Sequence, residues 1–165
     1  SNIIATALFG DGAAAGIVET SDAGHRISAS GEYCWPNSLD VMGWRIEDDG
    51  LGVQFSRDIP QLVRTELRGA ADRFLSGAGI PFNAIDHFVF HPGGAKVLTA
   101  LEEAFEIAAP GLTVGRSILR DFGNMSAATV LFVLKRILEQ PISGRSLLGA
   151  LGPGFTAGFA VMEHD

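Results

Sequence analysis

Apolar positions recur along this chain in three rhythms. Val63, Leu67, Ala70 and Phe74 fall at intervals of four, three and four, the spacing that places side chains on one face of a helix. Asp58 and Pro60 stand where such a helix begins, and Gly77 and Gly79 where it stops. Residues 56–79 are therefore predicted as an amphipathic helix. Val97, Leu98, Leu101 and Phe105 predict another from about Ala95 to Phe105, ended by Pro110-Gly111. The second rhythm runs from Met125 to Leu138, where Ala127, Ala128, Val130, Leu131, Phe132, Val133 and Leu134 leave almost no polar side. Such a helix is expected to be buried all round. The third consists of short apolar runs that read as strands: Ile85 to Phe90, Ser146 to Leu151 and Phe155 to Met162, the last two joined as a hairpin at Gly152-Pro153-Gly154. Residues 25–56 mix β-prone pieces with the polar turns CWPNSLD and EDDGLG, and predict strands carrying a mobile loop. Ile3 to Val18, small and apolar around Asp11-Gly12, is expected to form a buried strand pair or a strand with a bulge. The order strands, helix, strand, helix, helix, strand, strand is that of one α/β layered domain over residues 1–165, a mixed sheet packed with helices.

Bulk properties narrow the partners. At 165 residues and 47% hydrophobic the chain can fill one core. Its net charge of −7, with no basic run longer than a pair such as Lys135-Arg136, excludes a phosphate-tracking nucleic-acid surface. No apolar run approaches the roughly 20 residues of a membrane span, and no basic-then-apolar leader opens the chain. A cytoplasmic protein is expected. The abrupt start in apolar sequence points to a piece of something longer. The one cysteine, Cys34, can neither close an internal disulfide nor supply a CxxC metal pair, so a reducing compartment and no metal centre are expected.

The stretch FVFHPGGAKVL, residues 88–98, sends a strand directly into a histidine, a proline and two glycines before a helix begins. Read plainly, Pro92, Gly93 and Gly94 make a tight turn and His91 is incidental. Alternatively, the turn holds an imidazole at the end of a sheet, where α/β proteins keep their ligands. Asn124, 33 positions later, opens the apolar helix and poses the same choice: a helix cap, in competition with Ser126, or a functional amide. Together an imidazole N–H and an amide NH₂ have the chemistry of an oxyanion hole. Neither is a nucleophile.

HPGGAKVL, DFGNMSAATVLFVL, ALFGDGAAAGIV and LGPGFTAGFAV, all present in the chain, resemble the C-terminal half of type III polyketide synthases, the chalcone synthase-like enzymes of the thiolase superfamily. The resemblance covers nearly the whole chain and implies a thiolase-like fold. It also implies a Cys-His-Asn catalytic set whose Cys lies in an N-terminal half absent here, with His91 and Asn124 as the His and Asn. The activity implied is that of an acyltransferase: an acyl-CoA starter, long-chain ones included, condenses with malonyl-CoA by decarboxylative Claisen chemistry to chalcone-like, alkylpyrone or alkylresorcinol products. CoA thioesters are substrates, no cofactor is implied, and the assembly implied is a homodimer. Without the Cys, this piece alone is expected to be inactive. A ketoacyl synthase III-like enzyme of fatty-acid initiation shares the His and Asn but usually differs after the histidine. A non-enzymatic dimerisation or acyl-binding module is a further alternative.

The same resemblance assigns narrower roles. Phe9 falls on a gatekeeper phenylalanine between CoA tunnel and elongation cavity, and Val53 on a second gate that is usually aromatic. Core packing alone also explains Phe9. Ser126 matches a small pocket residue, and Gly152, Pro153 and Gly154 match a loop shaping the active-site wall, although Leu151 replaces that loop's phenylalanine. Gly94 and Lys96 fall where the family contacts CoA; a solvated first-turn lysine is the plain reading of Lys96. Cys34, in YCWPN, lacks the strand-to-helix setting that activates a thiol and reads as a small buried hydrophobe.

Overall fold

The computed structural model describes residues 2–21, 24–48 and 50–165; Ser1, Asp22, Ala23 and Asp49, the last within the EDDGLG turn, lie outside the described residues. The architecture is mixed α/β. A four-stranded sheet has the order β1-β6-β5-β4, formed by Arg26–Cys34 (β1), Thr156–His164 (β6), Gly144–Gly152 (β5) and His87–Phe90 (β4). The β5–β6 hairpin and the β1–β6 pair are antiparallel, and β4 joins β5 in parallel. A separate antiparallel ribbon pairs β2 (Met42–Glu47) with β3 (Gly50–Phe55).

Asp58 occupies the cap position of the predicted amphipathic helix, and Pro60 lies in the first turn, where its missing N–H costs nothing. The helix runs as α2 (Ile59–Leu62), a π-helical turn (Val63–Leu67) and α3 (Arg68–Gly77). Val63, Leu67, Ala70, Ala71 and Leu75 are buried in one core with Leu98, Leu101 and Phe105, the inward face of α4 (Ala95–Ala104), and with Phe90, Leu147, Phe159 and Val161 of the sheet. A smaller cluster, Val89, Ile118, Met125 and Val133, joins the sheet to α5 (Thr113–Phe122) and α6 (Ala127–Leu138). The sheet is thus covered by helices on both faces, with one apolar core against each.

Three expectations are corrected. First, Asn2–Leu8 is a helix, α1, and residues 10–21 carry no strand. Ile17 and Val18 are 95% and 81% exposed: a strand needs a neighbouring edge for its backbone groups, and no strand among the described residues lies beside this one. Second, Thr113–Phe122 forms a helix, α5, in a stretch between Pro110-Gly111 and Met125 where no element is expected. Third, α6 is not buried all round. Thr129 and Val133 are enclosed, but Leu131 is 39% exposed and faces away from the sheet.

At Gly149 a Cβ would come 2.7 Å from ring carbons of Phe90, its partner across the β4–β5 ladder. Gly149→Ala is accordingly expected to lower unfolding free energy by about 1–3 kcal/mol, the usual cost of overpacking a core, measured as a lower denaturation midpoint.

Candidate functional site

The carboxyl ends of β4 and β5 point the same way, and His91 stands directly after Phe90 at that end. Its backbone N–H donates to the Gly149 carbonyl at 2.8 Å, so the sheet ladder itself fixes the position of the imidazole. The chain then turns through buried Pro92 and on to Gly94, the cap residue of α4. Gly93 donates its N–H to the His91 carbonyl at 3.0 Å.

Asn124 arrives from the opposite direction. It is buried between α5 and α6, its backbone N–H donating to the Leu8 carbonyl (2.8 Å) and its carbonyl accepting from Gly10 N–H (3.1 Å) in a parallel bridge beside Phe9. This close approach needs glycine at position 10, where a Cβ would lie 2.0 Å from the Phe122 carbonyl oxygen. Asn124 Oδ1 accepts the Ser126 N–H at 2.9 Å, and Asn124 Nδ2 donates one hydrogen to the Gly93 carbonyl at 3.2 Å. Gly93 neighbours both candidates: its carbonyl accepts from Asn124, and a Cβ built on it would sit 3.7 Å from His91 Nε2. The amide retains its second N–H for another acceptor.

The electrostatics of His91 follow from its enclosure. Nδ1 is buried with no hydrogen-bond partner, and burial pulls the imidazole pKa down from 6.5 to about 4. His91 is therefore neutral near pH 7. A buried N–H without an acceptor is the rarer kind of orphan, which favours the proton on Nε2, the nitrogen beside Gly93.

The capping question resolves differently from either expectation. Ser126 holds the cap position of α6 without a side-chain cap bond. Instead Thr129 Oγ1 accepts the Met125 N–H and donates to the Ser126 carbonyl, both at 2.8 Å. Ser126 itself has φ +56°, uncommon for a residue other than glycine. The Asn124 side chain spans this strained corner to reach Gly93.

The remaining candidates are spread around this centre. Phe9 is half-buried and adjoins Asn124 through the bridge. Val53 lies on β3 opposite Trp44, but the ring that meets Phe9 is Phe55, at 6.0 Å between centroids. Sequence reading passed over Phe55; its alternation with Val53 on the same face of β3 was the available signal. The Gly152-Pro153-Gly154 turn lies at the same end of the sheet as His91, yet its hydrogen bonds go to the 35–42 loop: Gly154 N–H to the Met42 carbonyl (2.8 Å) and Ser38 Oγ to the Gly154 carbonyl (2.8 Å). Gly94 faces Leu8, and Lys96 is exposed on the first turn of α4. Cys34, expected to be buried, is exposed at the end of β1. Among the described residues no group of three or more His, Cys, Asp or Glu is placed to hold a metal ion, and no helix is long and apolar enough to cross a membrane.

Known proteins resemble the chain along most of its length. The chain is 37% identical to a 1,3,6,8-tetrahydroxynaphthalene synthase of Streptomyces peucetius subsp. caesius over 99% of its own length and 46% of that protein's. It is 30% identical to a 3,5-dihydroxyphenylacetyl-CoA synthase of Amycolatopsis balhimycina over 97% of this chain and 45% of that one. It thus spans about half the length of the curated relatives it matches. The crystal structure of 1,3,6,8-tetrahydroxynaphthalene synthase from Streptomyces coelicolor A3(2), a bacterial type III polyketide synthase, superposes with a TM-score of 0.80 at 23% identity, over 88% of this chain and 42% of that one. The fold is thus thiolase-like. The family of chalcone and stilbene synthases, C-terminal domain, matches residues 26–163, and the chain belongs to this family of type III polyketide synthases.

Proposed function

We propose that this chain supplies the oxyanion-stabilising half of a polyketide synthase that extends an acyl-CoA starter with malonyl-CoA, its nucleophilic Cys coming from an N-terminal half of the same enzyme. The observation that carries the reading is the shared approach of His91 Nε2 and Asn124 Nδ2 to Gly93 at the sheet's carboxyl end. A neutral imidazole N–H and the second amide N–H together donate to a thioester oxygen. As malonyl-CoA loses CO₂, the bond to the carboxylate breaks, its electron pair forms the enolate, and the negative oxygen is held by these two donors. The enolate carbon then attacks the acyl-Cys thioester; a carbon–carbon bond forms and the Cys leaves as thiolate. Because burial keeps His91 uncharged near neutral pH, it assists by hydrogen bonding rather than by a full positive charge.

In this reading Lys96 meets a CoA phosphate, Gly94 leaves room for the pantetheine arm, Ser126 and the 152–154 turn shape the wall, and Phe9 and Val53 form the gate. The enzyme is a cytoplasmic homodimer that uses neither metal nor organic cofactor. The test is product analysis of the full-length enzyme with malonyl-CoA and starters from acetyl-CoA to palmitoyl-CoA, with malonyl carrier protein as a parallel arm. Extension from malonyl-CoA is expected; extension only from the carrier protein would overturn the assignment. Val53→Phe is expected to disfavour long starters over short ones by about tenfold, the scale of one or two methylenes denied space in a hydrophobic pocket. An unchanged starter profile removes Val53 from the gate.

A further inference from the structure

Three of the chain's four histidines gather at the end of the sheet opposite His91. His164 ends β6, His87 begins β4, and His25 precedes β1. His164 is buried and held on both ring nitrogens: Nε2 lies 2.7 Å from Ser146 Oγ, itself fully enclosed, and Nδ1 lies 2.9 Å from His25 Nδ1. The His87 ring stands 6.3 Å from that of His164, edge-on, with its Nε2 2.9 Å from the Ser143 carbonyl.

A contact between two Nδ1 atoms at hydrogen-bonding distance requires a proton on one and a lone pair on the other. It exists with both rings neutral or with one charged. With both charged, two N–H groups and two like charges face each other. The surrounding charges do not remove this dependence. Asp165 is engaged by the Gly24 N–H at 2.7 Å and Asp86 by the Arg145 N–H at 2.8 Å. Arg26 and Arg145 pair with Glu163, which alternates with His164 and so points to the other face of β6. Among the described residues no group of three or more His, Cys, Asp or Glu is placed to hold a metal ion; the chemistry these rings share is proton binding.

What the contact holds is the free edge of the sheet. β1 is the outer strand, and its register with β6 shifts between Ile27 and Ala29. Beyond that irregularity the strand is tied to β6 and its end by the Arg26↔Glu163 and Ile27↔Met162 pairs, the Arg26–Glu163 ion pair, the Gly24 N–H to Asp165 and the histidine contact. We propose that the Ser146–His164–His25 chain is a proton-operated clasp that keeps the start of β1 on β6 at neutral pH and lets it peel back to the Ile27–Ala29 irregularity when both imidazoles are charged. Burial of His164 and the nearby His25 and His87 lower its pKa, so the closed state is favoured above the ordinary histidine pKa of about 6.5 and is lost as the pH falls below it. The clasp is independent of the condensation chemistry, which sits at the other end of the strands.

Hydrogen exchange tests it on the protein as it exists, with rates corrected for intrinsic pH dependence. Protection of the Ile27 and Ser28 amides is expected to fall by up to about tenfold between about pH 7.5 and pH 5.5, the linkage of one proton over that window, while amides of the β5–β6 hairpin hold. His25 is exposed, so His25→Asn leaves the buried partners in place; in that variant the pH-dependent drop should vanish. Equal protection at both pH values, or a drop that persists in His25→Asn, overturns the clasp. A protection pattern that changes on adding a chelator would assign the histidine pair to a metal and overturn it equally.

Discussion

Asn124→Ala in the full-length enzyme is expected to lower malonyl-CoA decarboxylation by roughly a hundred- to a thousandfold, the 2.7–4 kcal/mol typical of losing one oxyanion donor. The size of the effect rests on two losses at once. Alanine removes the N–H aimed past Gly93, and it removes the amide that ties the Gly93 carbonyl to the Ser126 N–H. The second loss loosens a corner already held at a positive φ, so the His91 turn is freed as well. Asn124→Asp keeps only the Ser126 contact, since its carboxylate can accept from Ser126 but has no hydrogen to give to Gly93 or to the oxyanion, and is expected to lose as much as alanine. Release of CO₂ from malonyl-CoA is the readout. An Asn124→Ala enzyme with undiminished release excludes the amide from the reaction, whatever its effect on folding.

Much of the fold was legible because local signals and tertiary packing agreed. Around α2 and α3 the Asp58-Pro60 start, the four-three-four spacing and the Gly77-Gly79 stop all specify one outcome, and Val63, Leu67 and Ala70 are buried as that spacing requires. The β5–β6 hairpin was legible for the same reason. The failures share a different cause. Hydropathy was taken as a guarantee of burial, yet burial depends on what a face meets. Leu131 and Ile17 are as apolar as their neighbours but are left 39% and 95% exposed. In α5 the spacing of Val114, Ile118, Leu119 and Phe122 is helical, a period that the expected element order leaves out. Gly115 in fact sits against Leu98 and Pro92, where a Cβ would be 3.3 Å from Leu98 Cδ2. It is there for close helix packing rather than for a turn.

At the site, sequence indicated the residue types but not how they connect. That His91 follows a strand and Asn124 precedes a helix can be read from the pattern. That Gly93 joins them cannot, since the link is a backbone carbonyl 31 positions from the amide. The identity of the ring facing Phe9 was missed for a related reason. Position along β3 fixes the side of the ribbon, but which of Val53 and Phe55 reaches Phe9 depends on how the ribbon is placed.

The buried, unpartnered Nδ1 of His91 makes acid the second strong perturbation. Folded, the imidazole has a pKa of about 4; unfolded, it returns to about 6.5. Between these values the unfolded chain takes up a proton that the folded chain refuses, so stability rises with pH across this window. The contribution is fully present above about pH 6.5 and is lost as the pH falls toward 4, a total of about 3 kcal/mol at about 1.4 kcal/mol per pH unit. The carboxylates act lower down. Burial raises Glu102, but the hydrogen bonds from Arg116 and the Leu112 N–H outweigh it, and Glu163 is lowered by Arg26 and Arg145; groups lowered in this way lose their contribution only below their unfolded values, near 4.5. Denaturant unfolding between about pH 7 and pH 4.5 therefore isolates the histidines, and comparison with His91→Gln isolates this one. Wild type is expected to lose roughly 2 kcal/mol more than the variant over that range. Equal losses would mean that a water or another group reaches Nδ1 in solution, and the neutral donor on which the condensation chemistry rests would then be a charged one.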